Sequence, residues 1–321
     1  MSVKILVTGA NGFVGRRICP VLGKEGHEVR RAVRANDNLP DTIEMSDSSS
    51  ENTLIAACAG VDCVISLAGT AHVRGKVDVV LHNDYWSINV DFPLRLAEAA
   101  HKVGVRRFIF VSTVKVYGDM SNGRALTETD KEQPNDPYAY SKWAAEQKLR
   151  AFSETTGLEL VIVRSPLIYG PGVRANFLAL LSAVSKGLPL PFLWSTNKRS
   201  MIYVDNFASA LSACATHPQA LQETFNVADA NPLTLPALVN ELAFALGRRA
   251  CLFPLPRLFL RIAAAAVGRG QQLKRLTNEL EVDSSKIRRM LGWVPLYSFR
   301  EGIRKTVDGY LHGIHQRDDG F

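Results

Sequence analysis

Tyr138 and Lys142 stand four residues apart in Asp136-Pro137-Tyr138-Ala139-Tyr140-Ser141-Lys142, and on a helix that spacing puts them on one face. Asp136 suits an N-cap and Pro137 a first helical position, so the sequence predicts a helix starting just before the tyrosine. A free tyrosine loses its proton near pH ~10, too high for a base at neutral pH. A cation one turn away favours the phenolate, which makes the two residues a candidate proton-transfer pair. Spacing alone does not carry that assignment, because Tyr and Lys fall four apart on many ordinary helices.

A second segment could bind an anion. Thr8-Gly9-Ala10-Asn11-Gly12-Phe13-Val14-Gly15 follows directly on the apolar run Val3-Lys4-Ile5-Leu6-Val7. Gly9 permits a tight turn, Gly12 lets backbone approach a pyrophosphate, and Gly15 permits close helix packing, with the helix N-terminus supplying N–H donors. Residues Gly9, Asn11, Gly12, Phe13, Val14 and Gly15 are therefore expected to line a dinucleotide. The next strand-like run ends Val29-Arg30-Arg31-Ala32-Val33-Arg34 with no carboxylate for ribose hydroxyls. Arg34 suits a 2′-phosphate, so NADP(H) is favoured and NAD(H) stays open.

The elements that must hold these residues are legible as alternating units. Val3–Val7, Glu28–Val33, Val61–Leu67, Arg107–Ser112 and Glu159–Arg164 read as strands, and Phe92–Val103 as an amphipathic helix stopped by Gly104. Such βαβ alternation implies an α/β fold, a Rossmann doubly wound parallel sheet with helices on both faces. After Pro171-Gly172 prolines punctuate shorter elements, which predicts a smaller C-terminal substrate-binding lobe. The expected division is 1–170 for the dinucleotide domain and mainly 171–321 for the lobe, with some segments returning to the first domain.

Composition limits the function classes. The chain has 321 residues, 46% hydrophobic and 21% charged, with a net charge of +7, enough for a large core. The basic residues read as scattered among acidic ones, which fits an anionic small ligand better than nucleic acid. Five cysteines without a C-x-x-C pair argue against a disulfide framework or a metal site. No secretion signal is apparent, and Leu258–Val267, interrupted by Arg261, is too short to span a bilayer. The cytoplasm and no stable membrane insertion are expected.

The G-x-x-G-x-x-G spacing and Tyr-x-x-x-Lys together resemble the extended short-chain dehydrogenase/reductase superfamily, in its NAD-dependent epimerase/dehydratase branch. Phe110-Val111-Ser112-Thr113-Val114-Lys115-Val116-Tyr117-Gly118 is similar to that family's Ser-Ser/Thr-x-x-Val-Tyr-Gly motif. The resemblance implies that Thr113 hydrogen-bonds the reacting sugar oxygen, that Tyr138 moves its proton, and that Lys142 also holds the nicotinamide ribose. Tyr117 is not the implied base. Ser66-Leu67-Ala68-Gly69, with Leu67, Ala68 and Gly69 against the cofactor, and Asn89-Val90 also match family segments, as does Arg164-Ser165-Pro166-Leu167-Ile168-Tyr169-Gly170-Pro171, where Pro166 and Ile168 would lie beside the nicotinamide. Asn176, Arg199 and Arg275 resemble nucleotide-sugar contacts of the UDP-galactose 4-epimerase group, with arginine suited to clamp a diphosphate. A homodimer through a helical face is implied as well.

Three reactions share this machinery, namely 4-epimerisation, 4,6-dehydration and 4-keto reduction. Val114 and Lys115 stand where dehydratases carry an Asp-Glu pair, which disfavours dehydration. The chain further resembles bacterial enzymes that reduce UDP-4-keto-6-deoxy-N-acetylhexosamines for surface polysaccharide, and Arg34 tilts the expectation to that reductase over an epimerase with tightly bound NAD. A non-catalytic nucleotide-binding regulator is the reading of a different class, and intact Thr113, Tyr138 and Lys142 argue against it.

Overall fold

The structure, a computed structural model, describes residues 2–35, 40–70, 85–256, 259 and 278–318. Seven parallel strands form the central sheet: β1 (Lys4–Thr8), β2 (Glu28–Val33), β3 (Thr42–Glu44), β4 (Cys63–Ser66), β5 (Arg107–Thr113), β6 (Glu159–Ser165) and β10 (Thr224–Asn226), in the order β10-β6-β5-β4-β1-β2-β3. The strand order reverses between β1 and β4, and a crevice outside the carboxyl ends of strands at such a switch point is where doubly wound sheets bind ligands.

Both faces of the sheet are buried, as a parallel sheet requires. Along β1, Ile5 and Val7 point to one core, with Ile18 and Leu22 of α1 (Gly15–Lys24). Leu6 points to the other, with Leu54 of α2 (Glu51–Cys58), Leu96 of α3 (Phe92–Lys102) and Leu149 of α4 (Pro137–Thr156). The expected strands are present with bounds shifted by a residue or two. Strands β3 and β10 were not expected. Each is three residues long, too short for a periodic signal.

Beyond residue 170 the chain builds a third core under α5 (Ala175–Ser185), α7 (Leu235–Ala245) and α9 (Phe299–Asp318). Two small sheets serve it. Strand β7 (Leu167–Tyr169) pairs in parallel with β9 (Met201–Tyr203), and β8 (Lys198–Arg199) pairs antiparallel with β11 (Leu233–Thr234). Helix α6 (Val204–Thr216) returns to the main sheet, where Phe207 and Leu211 join the core that contains Ile18.

Candidate active site

The glycine turn joins β1 to α1 with Gly9 at φ 65° and Gly12 N donating to Gly9 O at 2.8 Å. A Cβ on Gly15 would lie 2.3 Å from Gly9 O and 2.6 Å from Ala10 Cα, so no other residue fits there. Helix α1 begins with no side-chain cap and no acidic residue in its first turn, leaving its N–H groups and dipole to an anion. That cradle fits a dinucleotide pyrophosphate. Phe13, Val14 and Ile168 pack together against the third core, so the turn and the segment after β6 form one wall.

Thr8 closes the other side. Its buried hydroxyl accepts from Leu67 N at 3.1 Å and Ala68 N at 3.0 Å, tying the ends of β1 and β4 at the switch point. Asn89 then links that loop to the helix that carries Tyr138 and Lys142. Thr70 N donates to Asn89 Oδ1 at 2.9 Å, while Asn89 Nδ2 donates to Thr70 O at 3.1 Å and to Ser141 Oγ at 3.0 Å. Asn89 lies in a π-helical turn, Ser87–Asp91, just before α3, and such turns cluster at functional sites.

Helix α4 starts as expected, with Asp136 Oδ1 accepting from Ala139 N at 2.7 Å and Pro137 in the first turn. Lys142 is buried, its Nζ donating to Val111 O at 2.9 Å and lying 4.5 Å from the Phe110 ring centroid. A Cβ on Gly69 would come 3.2 Å from that Nζ. Burial pulls the Lys142 ammonium down to about 8, with the Glu146 charge opposing. Tyr138 is half-buried, with its phenol near the hydroxyl of Thr113 at the end of β5. Burial pushes its phenol up to about 12, the Asp136 carboxylate adds to the shift, and the Thr113 hydrogen bond acts against both. The structure thus brings Thr113, Tyr138, Lys142, Gly69 and Asn89 together.

Tyr117 is separate from that group. It is buried, donates to Asn226 Oδ1 at 3.0 Å, and lies 4.8 Å below the Arg164 guanidinium. Burial pushes its phenol up to about 12, and its place in the core gives it a packing role. Lys115, where a dehydratase would carry an acid, is ion-paired to Asp136, so its charge steadies the N-cap of α4.

The other expected contacts spread outward. Pro166 is buried, and half-buried Ile168 packs against the same core as Phe13 and Val14 of the glycine turn. Asn176 is half-buried in the first turn of α5. Arg199 ends β8 with Nη1 donating to Asn278 O at 3.1 Å. Arg275 lies outside the described residues. Arg34 is exposed on the turn after β2. Arg31, which sequence reading passed over, is the β2 arginine that lines a cavity of about 660 Å³ together with Asn11, Arg16, Cys19 and Pro40.

The sequence profile of the "NAD dependent epimerase/dehydratase family" matches residues 5–228. The chain belongs to that family. It is 34% identical over 316 residues to a UDP-glucose 4-epimerase of Vibrio cholerae, covering 97% of this chain and 96% of that protein. Its fold is that of UDP-N-acetylglucosamine 4-epimerase from Bacillus cereus, at TM-score 0.79 and 21% identity over 97% of this chain and 99% of that one. The Thermus thermophilus UDP-glucose 4-epimerase, solved as a complex with NAD, matches at TM-score 0.76 and 25% identity over 96% and 99%.

Within this epimerase/dehydratase family member, sequence reading missed the residues that position others. Thr8 and Asn89 act on backbone groups 59 and 19 residues away, a relation that no local pattern displays. A buried ion pair behind the site was also missed. Arg164 of β6 meets both carboxylate oxygens of Glu146, one turn after Lys142, and also Glu132 at 2.6 Å. The periodic signal was there, since Glu146 stands on the Tyr138–Lys142 face at four-residue steps.

Proposed function

We propose that this chain interconverts C4 epimers of a UDP-hexose, with a nicotinamide dinucleotide held by the glycine turn. One observation carries the reading: a buried lysine fixed to Val111 O, one helical turn after a tyrosine whose phenol lies near the hydroxyl of Thr113 at the carboxyl end of β5. NAD, when bound, supplies the hydride acceptor and, oxidised, a positive charge that favours the Tyr138 phenolate.

The chain's own residues do the rest. Tyr138 takes the proton of the sugar C4 hydroxyl and returns it to the same oxygen once C4 has regained its hydrogen on the opposite face, Thr113 hydrogen-bonds that oxygen, and Lys142 holds the ribose hydroxyls. Gly9, Gly12 and Gly15 with the α1 N-terminus hold the pyrophosphate, and Leu67, Ala68, Pro166 and Ile168 line the dinucleotide. Asn176 and Arg199 orient the UDP diphosphate, and Arg275 is assigned with them by resemblance. The Vibrio cholerae relative, named for C4 epimerisation, supports this reaction over reduction.

Reduction of a UDP-4-keto-6-deoxy-N-acetylhexosamine for surface polysaccharide is the second reading. Its support is the end of β2, where Val33 and Arg34 stand without a carboxylate. Heat release and identification of the copurified dinucleotide separates the two. Tightly bound NAD, with UDP-glucose or UDP-N-acetylglucosamine converted to its C4 epimer and no net change at 340 nm, is expected. Stoichiometric consumption of NADPH by a 4-keto sugar contradicts the epimerase. The homodimer belongs to this proposal and is read by sedimentation velocity.

A further inference from the structure

One long stretch without an acidic residue is strongly basic. No Asp or Glu occurs between Glu241 and Glu279, while residues 242–278 contain seven Lys and Arg, Arg248 and Arg249 among them. That number equals the whole excess of 38 basic over 31 acidic residues, so the rest of the chain is electrically balanced.

The first part of this stretch is at the surface beside another segment without acids, Lys186-Gly187-Leu188-Pro189-Leu190-Pro191-Phe192-Leu193-Trp194. Leu190 N donates to Cys251 O at 2.8 Å, Phe253 N to Leu190 O at 3.1 Å, and Leu193 N to Phe253 O at 3.3 Å. A Cβ on Gly187 would stand 4.0 Å from Arg248 Nη1. The paired segments expose Trp194 by 57%, Leu188 by 49%, Leu193 by 46% and Phe253 by 39%. Lys186, Arg248 and Arg249 are exposed on the same segments. One exposed leucine needs no explanation, but four large apolar side chains on two joined segments do.

We propose that this face docks the enzyme on an anionic phospholipid bilayer. Trp and Phe rings favour the headgroup level, leucines enter the acyl boundary, and each cation near the surface contributes about 1 kcal/mol of attraction to anionic lipid. A second copy of the chain would set one basic face against another. Nucleic acid would use the cations and the rings but has no place for the leucines. Docking here is peripheral, since no helix among the described residues is long and apolar enough to cross a membrane. Trp194 stands four residues before β8, which carries Arg199, so the bilayer would lie on the substrate lobe. The proposal holds whichever UDP-sugar reaction the site performs.

The test is flotation of the full chain with phosphatidylcholine vesicles, with and without phosphatidylglycerol, at low and high salt. Binding to the phosphatidylglycerol vesicles alone, weakened by salt, is expected, with a blue shift of Trp fluorescence that Trp194→Phe abolishes. Reversing two cations in Arg248→Glu/Arg249→Glu should lower partitioning about tenfold or more. Trp194→Ser/Phe253→Ser should lower it with charge unchanged, and both variants should keep the wild-type unfolding temperature. The proposal is overturned if wild-type protein ignores anionic vesicles, binds neutral ones equally, binds without the Trp194 shift, or binds duplex DNA more tightly at the same salt. If a variant fails to fold, the wild-type lipid dependence and the Trp194 shift decide.

Discussion

Among the described residues Lys142 has no carboxylate in contact, and its ammonium is held by one carbonyl and an aromatic ring. Burial lowers its folded pKa to about 8 from 10.5. Between those values the unfolded chain binds the extra proton, so stability rises with pH across that window and the cost of burying the charge is fully felt below it. Relative to Lys142→Met, the cofactor-free wild type should gain on the order of 1–3 kcal/mol from pH 8 to pH 10, read by urea unfolding at each pH. A flat difference between the two proteins would contradict a buried, titrating lysine. Tyr138→Phe removes the proton carrier and leaves the cradle intact, so turnover should fall by about 10²–10⁴ while dinucleotide affinity, followed by fluorescence titration, changes little. That Thr113, Tyr138 and Lys142 come together was legible because side-chain type and spacing mark them in the sequence. Thr8 and Asn89 were not, because they act by satisfying backbone groups that only the folded chain brings near. Asn89→Ala should lower kcat more than it weakens dinucleotide binding, since it frees both the loop after β4 and Ser141 of α4; equal loss in both would make Asn89 a cofactor contact instead.

Among elements, the βαβ units of the first half were readable because buried parallel strands are continuous apolar runs and their helices are amphipathic. The two short edge strands were not, nor was the π turn before α3, which shifts the helix register so that Asn89 meets Thr70 and Ser141. The glycine turn was readable because its residue types are dictated by sterics. Gly15→Ala would force a methyl to 2.3 Å from Gly9 O, costing about 1–3 kcal/mol of stability and spoiling the pyrophosphate cradle. Calorimetry with NAD should show binding weakened by at least about tenfold, or ~1.4 kcal/mol. Unchanged affinity would mean that the dinucleotide does not use this turn. Behind the site, β6 and α4 are joined by Arg164 and Glu146, both fully buried. Glu146→Gln leaves the Arg164 charge with Glu132 alone, so it should destabilise the fold by about 1–3 kcal/mol, with a matching loss in urea midpoint.

For the molecule as a whole, the carboxyl edge of the sheet and the lobe beyond residue 170 are tied by Asp229, which accepts from Tyr169 Oη, Tyr203 N and Asn206 Nδ2 at 2.8–3.0 Å. Asn206 in turn holds Tyr297 through both its backbone groups. The lobe was legible only as a loosening of pattern, because its contacts join residues far apart in the chain. The absence of acidic residues from 242–278 is plain in the sequence, but its joining to the segment 186–194 is a property of the fold alone. The central claim, that Thr113, Tyr138 and Lys142 serve reversible hydride movement at sugar C4, is tested most directly by following UDP-[4-²H]glucose by NMR. UDP-galactose with deuterium retained at C4 and no reduced nicotinamide accumulating is the expected result. No inversion at C4 by folded, dinucleotide-loaded protein, or deuterium lost from C4 of the product, would contradict it.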